Sequence, residues 1–502
     1  MAPAYTVFYG TFIDLPRSIT EEKLALDINH GTLWVSSVDG RIKGFDWTVH
    51  SEKELEAFLQ KEGWVEEVEN MQNGVGPQEK VKIVRAREDQ NEFFFPGFID
   101  THIHAPQYPN SGLFGSSTLL DWLERYTFPL ESSFGQKEEE KEDEGKEVAP
   151  PRAHTAYKQV ISRTLSHGTT CASYFATIHV PATSLLASLC HARGQRAFIG
   201  RVCMDNPAFC PDYYRDASAE ESLARTEAIV SHIHTLDPKG TLVKPILTPR
   251  FAPTCSPAAL SGLGHLAASY SPPLHIQTHI SENVDEVKLV KKLFPEATNY
   301  ADVYDRFDLL TRRTILAHAV HLTPDERRLI HSRQAKVSHC PASNSALGSG
   351  ICPVRVLLDD GITVGLGTDV SGGYSPSILE AVRQACLVSR LLGHTLPAEK
   401  QTGREKLSVE EALYLATRGG AAVVDMAGEI GGFEEGMFFD AQLIGLGSPL
   451  SDVEESADLA SGNVDLFGWE SWPEKIHKWV WTGDDRNVGA VWVNGRLVHA
   501  RE

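Results

Sequence analysis

The 502-residue sequence predicts an α/β protein: a (β/α)8 TIM barrel with a small β module built from the N- and C-terminal segments. Three observations predict it. Eight short apolar runs follow one another from residue 93 onward. Amphipathic stretches with helical spacing lie between them. Further β-type pieces stand at both ends of the chain.

Taken in order, residues 1–92 supply the first half of the small module. "GTLWVSSVDGRIKGFDW" and "KVKIVRA" read as strands, with a polar, helix-like piece between them. The barrel is expected over 93–428. Its strand runs are "FFFPGFID", "TTCASYF", "RAFIGRVCMD", "LVKPILTPRF", "LHIQTHIS", "TILAHAVHL", "KVSHCPAS" and "TVGLGTDV". Helical patterns such as "AYKQVISRTLSHG", "EESLARTEAIVSHIHTL", "VDEVKLVKKLF" and "TPDERRLIHSR" separate them. An open doubly wound sheet is the alternative, but no GxGxxG follows the first strand. After the last barrel helix, "SVEEALYLATRGGAAVV", residues 429–502 supply the second half of the module through "GMFFDAQLIGL" and "GAVWVNGRLVHA".

Composition narrows the function classes. The chain is 42% hydrophobic and 23% charged, as in an ordinary globular protein. No apolar run is long enough to span a bilayer and no secretory signal opens the chain, so a cytoplasmic protein is expected. Eight sparse cysteines without a CxxC pair read as buried thiols in a reducing compartment. A net charge of −20 argues against a nucleic-acid or membrane partner. Part of that charge is local: "QKEEEKEDEGKE" at 136–147 holds seven acids and three lysines and reads as a solvated insertion.

The chemistry is written at the strand ends. Residues i and i+2 of a strand point to one side, so His102 and His104 offer two imidazoles to one point. Neutral imidazole is a good zinc ligand, and Asp100 shares that face. His279 ends the fifth run, with Glu282 three residues on; His318 lies in the sixth, and Asp369 ends the eighth. In a parallel barrel these ends converge on one mouth. A metal held there acidifies water from a pKa of about 15.7 toward roughly 7. Glu282, near a ligand but not itself one, is placed to move protons. Asp369 can hold both metal and nucleophile, and His318 can orient the attacking oxygen or stabilise developing charge. The fourth run ends in Arg250 and Phe251, with Lys244 six residues earlier. No lysine therefore stands at that tip to bridge two ions, which favours one metal. Iron suits the same donors. Cys340 in "SHCPASN" reads as a packed thiol.

"PGFIDTHIH", "THISE", "AHAVHL" and "GTDVSGG", in this order, resemble the amidohydrolase superfamily. Within it, "FPGFIDTHIHAPQY", "LLDWLERYTFPLE", "HGTTCASYFATIH", "VKPILTPRF" and "TGDDRNV" are similar to the guanine deaminase family. The likeness runs from about residue 93 nearly to the end. It implies hydrolysis of guanine to xanthine and ammonia. It implies one Zn2+ per subunit on His102, His104, His279 and Asp369, with Glu282, His318 and Asp369 catalytic. It implies a substrate site of Gln107, Arg250, Phe251, His279, Glu282 and His318, and a homodimer. Physically, Phe251 offers a π face to a flat base, Arg250 supplies fixed donors, and Gln107 both donates and accepts. Two other readings are a related deaminase or chlorohydrolase acting on another N-heterocycle, and a metal-free scaffold. The cytidine-deaminase zinc fold needs a PCxxC pair, which is missing here.

Overall fold

The computed structural model of the protein describes residues 3–19, 24–67, 79–135, 148–395, 397, 401–450 and 463–501. The acidic stretch 136–147 lies outside the described residues.

Two sheets form the frame. In the first, β1 (Tyr5–Asp14) is central. β2 (Asp27–Ser36) pairs with it antiparallel, and β3 (Ile42–Asp46) continues the meander. β4 (Trp64–Glu66) pairs in parallel with β5 (Glu79–Arg85), and β5 and β6 (Glu92–Pro96) both lie parallel to β1. The polar piece between β3 and β4 is a helix, Glu52–Glu62, capped by Ser51 and ended by left-handed Gly63.

The second sheet is the barrel. It runs through β7 (Phe98–His104), β8 (Thr169–Phe175), β9 (Arg196–Gly200), β11 (Val243–Pro249), β12 (His275–Ile280), β13 (Thr314–His318), β14 (Lys336–His339) and β15 (Val364–Leu366), all parallel. A two-residue strand, β10 (Val202–Cys203), adds to β11. Backbone bonds from Asp369 N–H to His102 O (2.8 Å) and from His104 N–H to Val370 O (3.0 Å) join the last strand's loop to the first strand. The sheet so closes at its mouth. Ile99, Cys171, Phe198, Ile246 and Ile315 pack together in one core cluster. Helices such as Ala219–Leu236, Val284–Leu293 and Pro324–Ser332 start at Ser218, Asn283 and Thr323, whose side chains accept the first free N–H groups.

The chain returns to the first sheet through β16 (Ala441–Gly445), antiparallel to β6, and the hairpin of β17 (Val488–Val493) and β18 (Arg496–Ala500). The small module is thus built from both chain ends. Among the described residues no helix is long and apolar enough to cross a membrane.

One run differs from expectation. "FFFPGFID" is not a single barrel strand: it ends in the small sheet as β6 and restarts in the barrel as β7. Gly97 is the hinge, because a Cβ there would lie 2.2 Å from the Thr170 side chain. The three phenylalanines face both ways. Phe93 and Phe95 meet Trp479 at 5.6 and 5.3 Å, while Phe94 stacks on Phe12 at 4.8 Å. A strand covered on both faces loses the polar alternation that would have marked its end.

Candidate active site

The predicted site residues meet at the mouth. His102 and His104 end β7, and Gln107 follows in the turn Ala105–Asn110. Arg250 and Phe251 lie just past β11, His279 is in β12 with Glu282 in the loop after it, His318 ends β13, and Asp369 follows β15. All but His102, which sits behind them, line one cleft. Left-handed backbone at Ser281 (φ 48°), His318 (φ 74°) and Asp369 (φ 49°) turns these strand ends inward. Such conformations are costly for ordinary residues and collect at functional sites.

His104 Nε2 lies 3.2 Å from both His102 Nε2 and His279 Nε2. Asp369 Oδ1 lies 3.1 Å from His102 Nε2 and 3.3 Å from His104 Nε2. The donor atoms of His102, His104, His279 and Asp369 all fall within 4.8 Å of one another. Burial pushes His104 down to about 4 and lowers His102. His279 falls well below the ordinary imidazole range through burial and then through its histidine neighbours. Burial opposes the charge on Asp369, yet the His102, His104 and His318 imidazoles outweigh it and hold the carboxyl well below its usual range. The His279 Nδ1–H donates to Arg250 O at 2.5 Å, which leaves Nε2 with a lone pair. Neutral imidazoles aiming such nitrogens at one point beside a carboxylate fit a divalent cation. Asp100 ties the first and last strands together by accepting from His102 N–H (3.2 Å), Thr368 N–H (3.0 Å) and Thr368 Oγ1 (2.5 Å).

Glu282 faces this group from the side. Its Oε2 lies 3.4 Å from His318 Nε2, and its Oε1 accepts from Ser349 Oγ at 3.1 Å. Burial, and next the Asp369 charge, push its carboxyl up to about 8. His318 Nδ1 bonds Asn344 Oδ1 at 2.9 Å, which puts the proton on Nδ1 and turns Nε2 toward Glu282 and Asp369. The Cys340 thiol stands within 4.8 Å of the His102, His318 and Asp369 donor atoms and bonds Ser338 O at 3.6 Å.

The opposite wall combines aromatic and aliphatic side chains with two polar ones. Phe251 is buried edge-on to Phe209 (5.4 Å), and Arg250 and Gln107 are each 1% exposed. Leu119, Trp122, Leu123, Leu347 and Glu286 complete the cleft. None of these, nor Ser349, Asn344 or Glu131, is among the site residues expected from the sequence. Ser349 and Asn344 carry no spacing signal. Glu131 does close the motif "LLDWLERYTFPLE" as an acid after an apolar helical pattern.

Comparisons with known proteins agree with this geometry. The Amidohydrolase family model matches residues 93–498. A "probable guanine deaminase" of Schizosaccharomyces pombe is 52% identical over 411 residues, covering 82% of this chain and 72% of that one. The guanine deaminase of Homo sapiens is 43% identical over 408 residues, 81% and 83% of the two chains. A guanine deaminase of C. acetobutylicum, solved with guanine in its active site, superposes with a TM-score of 0.77 at 31% identity, covering 99% of this chain and 100% of that one.

Proposed function

The chain belongs to the amidohydrolase family, and from that premise we propose that it is a guanine deaminase, converting guanine and water to xanthine and ammonia. One observation carries the reading: a three-histidine, one-aspartate cluster presents His104, His279 and Asp369 to the cleft that Gln107, Arg250 and Phe251 also line. The relatives named guanine deaminase, one holding guanine, support it.

His102, His104, His279 and Asp369 would hold one Zn2+, which when bound supplies a Lewis acid that makes water nucleophilic near neutral pH. The remaining work falls to side chains. Phe251 lies against the face of the base, while Arg250 and Gln107 grip its edge by hydrogen bonds. Glu282 takes one proton from the attacking water on its carboxylate and passes it to the ring nitrogen; it then takes the second proton from the added hydroxyl and passes it to the departing amine. A carboxyl pushed up to about 8 is suited to holding that proton between transfers. His318 turns Nε2 toward the attacking oxygen. The C2–O bond forms first, as the C2=N bond to the newly protonated ring nitrogen becomes single; the exocyclic C2–N bond then breaks as C2=O forms, and ammonia leaves.

The proposal extends to a homodimer in the cytoplasm, in keeping with eight buried free cysteines. It also divides the chain into a barrel expected over 93–428 and a small module expected over 1–92 and 429–502, with the first boundary moved past β6, since Glu92–Pro96 pairs in the small sheet. A deamination panel on metal-analysed protein tests the activity. Xanthine and ammonia from guanine are expected. Idle metal-replete protein, or a preference for cytosine, overturns the reading.

A further inference from the structure

Glu131 lies outside the cleft lining and is fully buried. It belongs to the short helix Phe128–Ser132, which follows directly on a π-helical turn over Leu123–Thr127. Such turns are rare and frequently stand at functional sites. Four donors meet on its carboxylate. Oε1 accepts from Gln107 Nε2 at 2.8 Å and Arg250 Nη2 at 3.2 Å. Oε2 accepts from Arg250 Nη1 and from the Tyr214 hydroxyl, both at 2.7 Å.

The consequences for the recognition wall are geometric. Gln107 is held at both ends, because its Oε1 also accepts from Ser371 N–H at 3.3 Å. Its amide therefore has one orientation, with a single N–H left to offer. Arg250 is gripped in fork-to-fork fashion, and its guanidinium carbon stands 5.3 Å from the Phe128 ring centroid. Its charge is balanced at its own site, so the wall offers donors without net positive charge. Burial works against the Glu131 charge, but the Arg250 guanidinium overcomes it and holds the carboxyl below its ordinary range.

We infer that Glu131 is a positioning residue for substrate selection: it fixes the orientations of Gln107 and Arg250, and through them the hydrogen-bond pattern that accepts a neutral oxo-purine. The inference deepens the guanine deaminase reading and rests on it for the identity of the base. Glu131→Gln places an amide N–H against a donor of Gln107, Arg250 or Tyr214, which forces the wall to rearrange.

The test compares wild-type, Glu131→Gln and Tyr214→Phe proteins, each loaded with zinc. Steady-state kinetics use the heterocycle that wild-type protein hydrolyses fastest, together with an analogue lacking its oxo group. For Glu131→Gln, kcat/KM is expected to fall about 10²-fold, mostly in KM, with zinc content unchanged and discrimination against the analogue lost. Tyr214→Phe removes one of the four bonds. It should move KM and discrimination the same way by a few-fold, and it stands in if Glu131→Gln does not fold. Unchanged KM and discrimination in the folded variants overturn the inference and leave Glu131 a packing residue. Failure of guanine as the wild-type substrate overturns the earlier reading instead, while the KM shift on the true substrate still decides this one.

Discussion

The two ends of the barrel carry the same kinds of side chain in opposite arrangements. At the mouth, four histidines and two acids converge, and His102, His104 and His279 bring their Nε2 atoms together instead of finding separate partners. At the floor, where the strands begin, charges pair off. Arg196 grips Asp440 through bonds of 2.9 and 3.0 Å. Lys336 and Arg313 share Asp425 at 3.2 and 3.3 Å. The floor's one strand histidine, His275, meets the Phe198 ring edge-on at 4.9 Å. Lys244 lies at this end as well, its cation 5.7 Å from the Phe198 centroid. A buried pair is costly to break from one side, whereas neutral imidazole nitrogens gathered beside a carboxylate suit a cation.

On this contrast, mouth substitutions remove activity and floor substitutions remove stability. The largest effect belongs to the metal cluster. Removing an outer-shell partner of a metal ligand already costs about 10–100-fold in affinity. His104→Ala should therefore lose stoichiometric metal and all measurable turnover, checked by elemental analysis and xanthine formation. A variant that keeps its zinc would break the comparison at its centre. Glu282→Gln comes next. It should keep the metal and lose about 10²–10⁴-fold in kcat. Its stability should hold or rise, because an amide resembles the protonated acid that burial favours. Metal lost from this variant would make Glu282 structural.

The contrast also explains what could be read in advance. His102 and His104 are legible because strand geometry sends i and i+2 to one side, and His279, His318 and Asp369 because parallel strands end together. The barrel is legible from alternation alone. The Gly97 hinge is not, since its cause is the Thr170 side chain of a neighbouring strand. Glu131 pairs with an arginine 119 residues away, and no local period records such a contact. Gln107, Arg250 and Phe251 were named through a family resemblance, and single side chains on loops have no spacing to betray them. What a strand's own geometry dictates shows in sequence; what two distant loops arrange between them does not.

At the floor the expected effect is on folding. Asp440→Ala leaves Arg196 charged and unpaired at 1% exposure. Breaking a buried pair from one side costs about 3–5 kcal/mol. The urea midpoint should fall accordingly, while kcat and KM of the folded fraction stay at wild-type values. A changed kcat at full folding would mean that the floor takes part in the reaction.

His275 gives the smallest effect and the finest test of the floor. Burial, with the Arg313 and Lys244 cations beside it, pushes its imidazole down to about 3. An exposed histidine titrates near 6.5, so between those values the unfolded chain binds a proton that the folded chain refuses. The stabilisation is present above about pH 6.5 and drains away as the pH falls, at one proton or about 1.4 kcal/mol per pH unit. By pH 5 the loss is on the order of 2 kcal/mol. His275→Asn cannot titrate, so its stability should fall less steeply over that range. It also gives up the ring contact with Phe198, worth about 1 kcal/mol. The variant should therefore be the weaker protein at pH 8 and the stronger one at pH 5, with the two curves crossing between. Urea unfolding at several pH values checks this. Parallel curves would mean that His275 takes up its proton in the folded state as readily as in the unfolded chain.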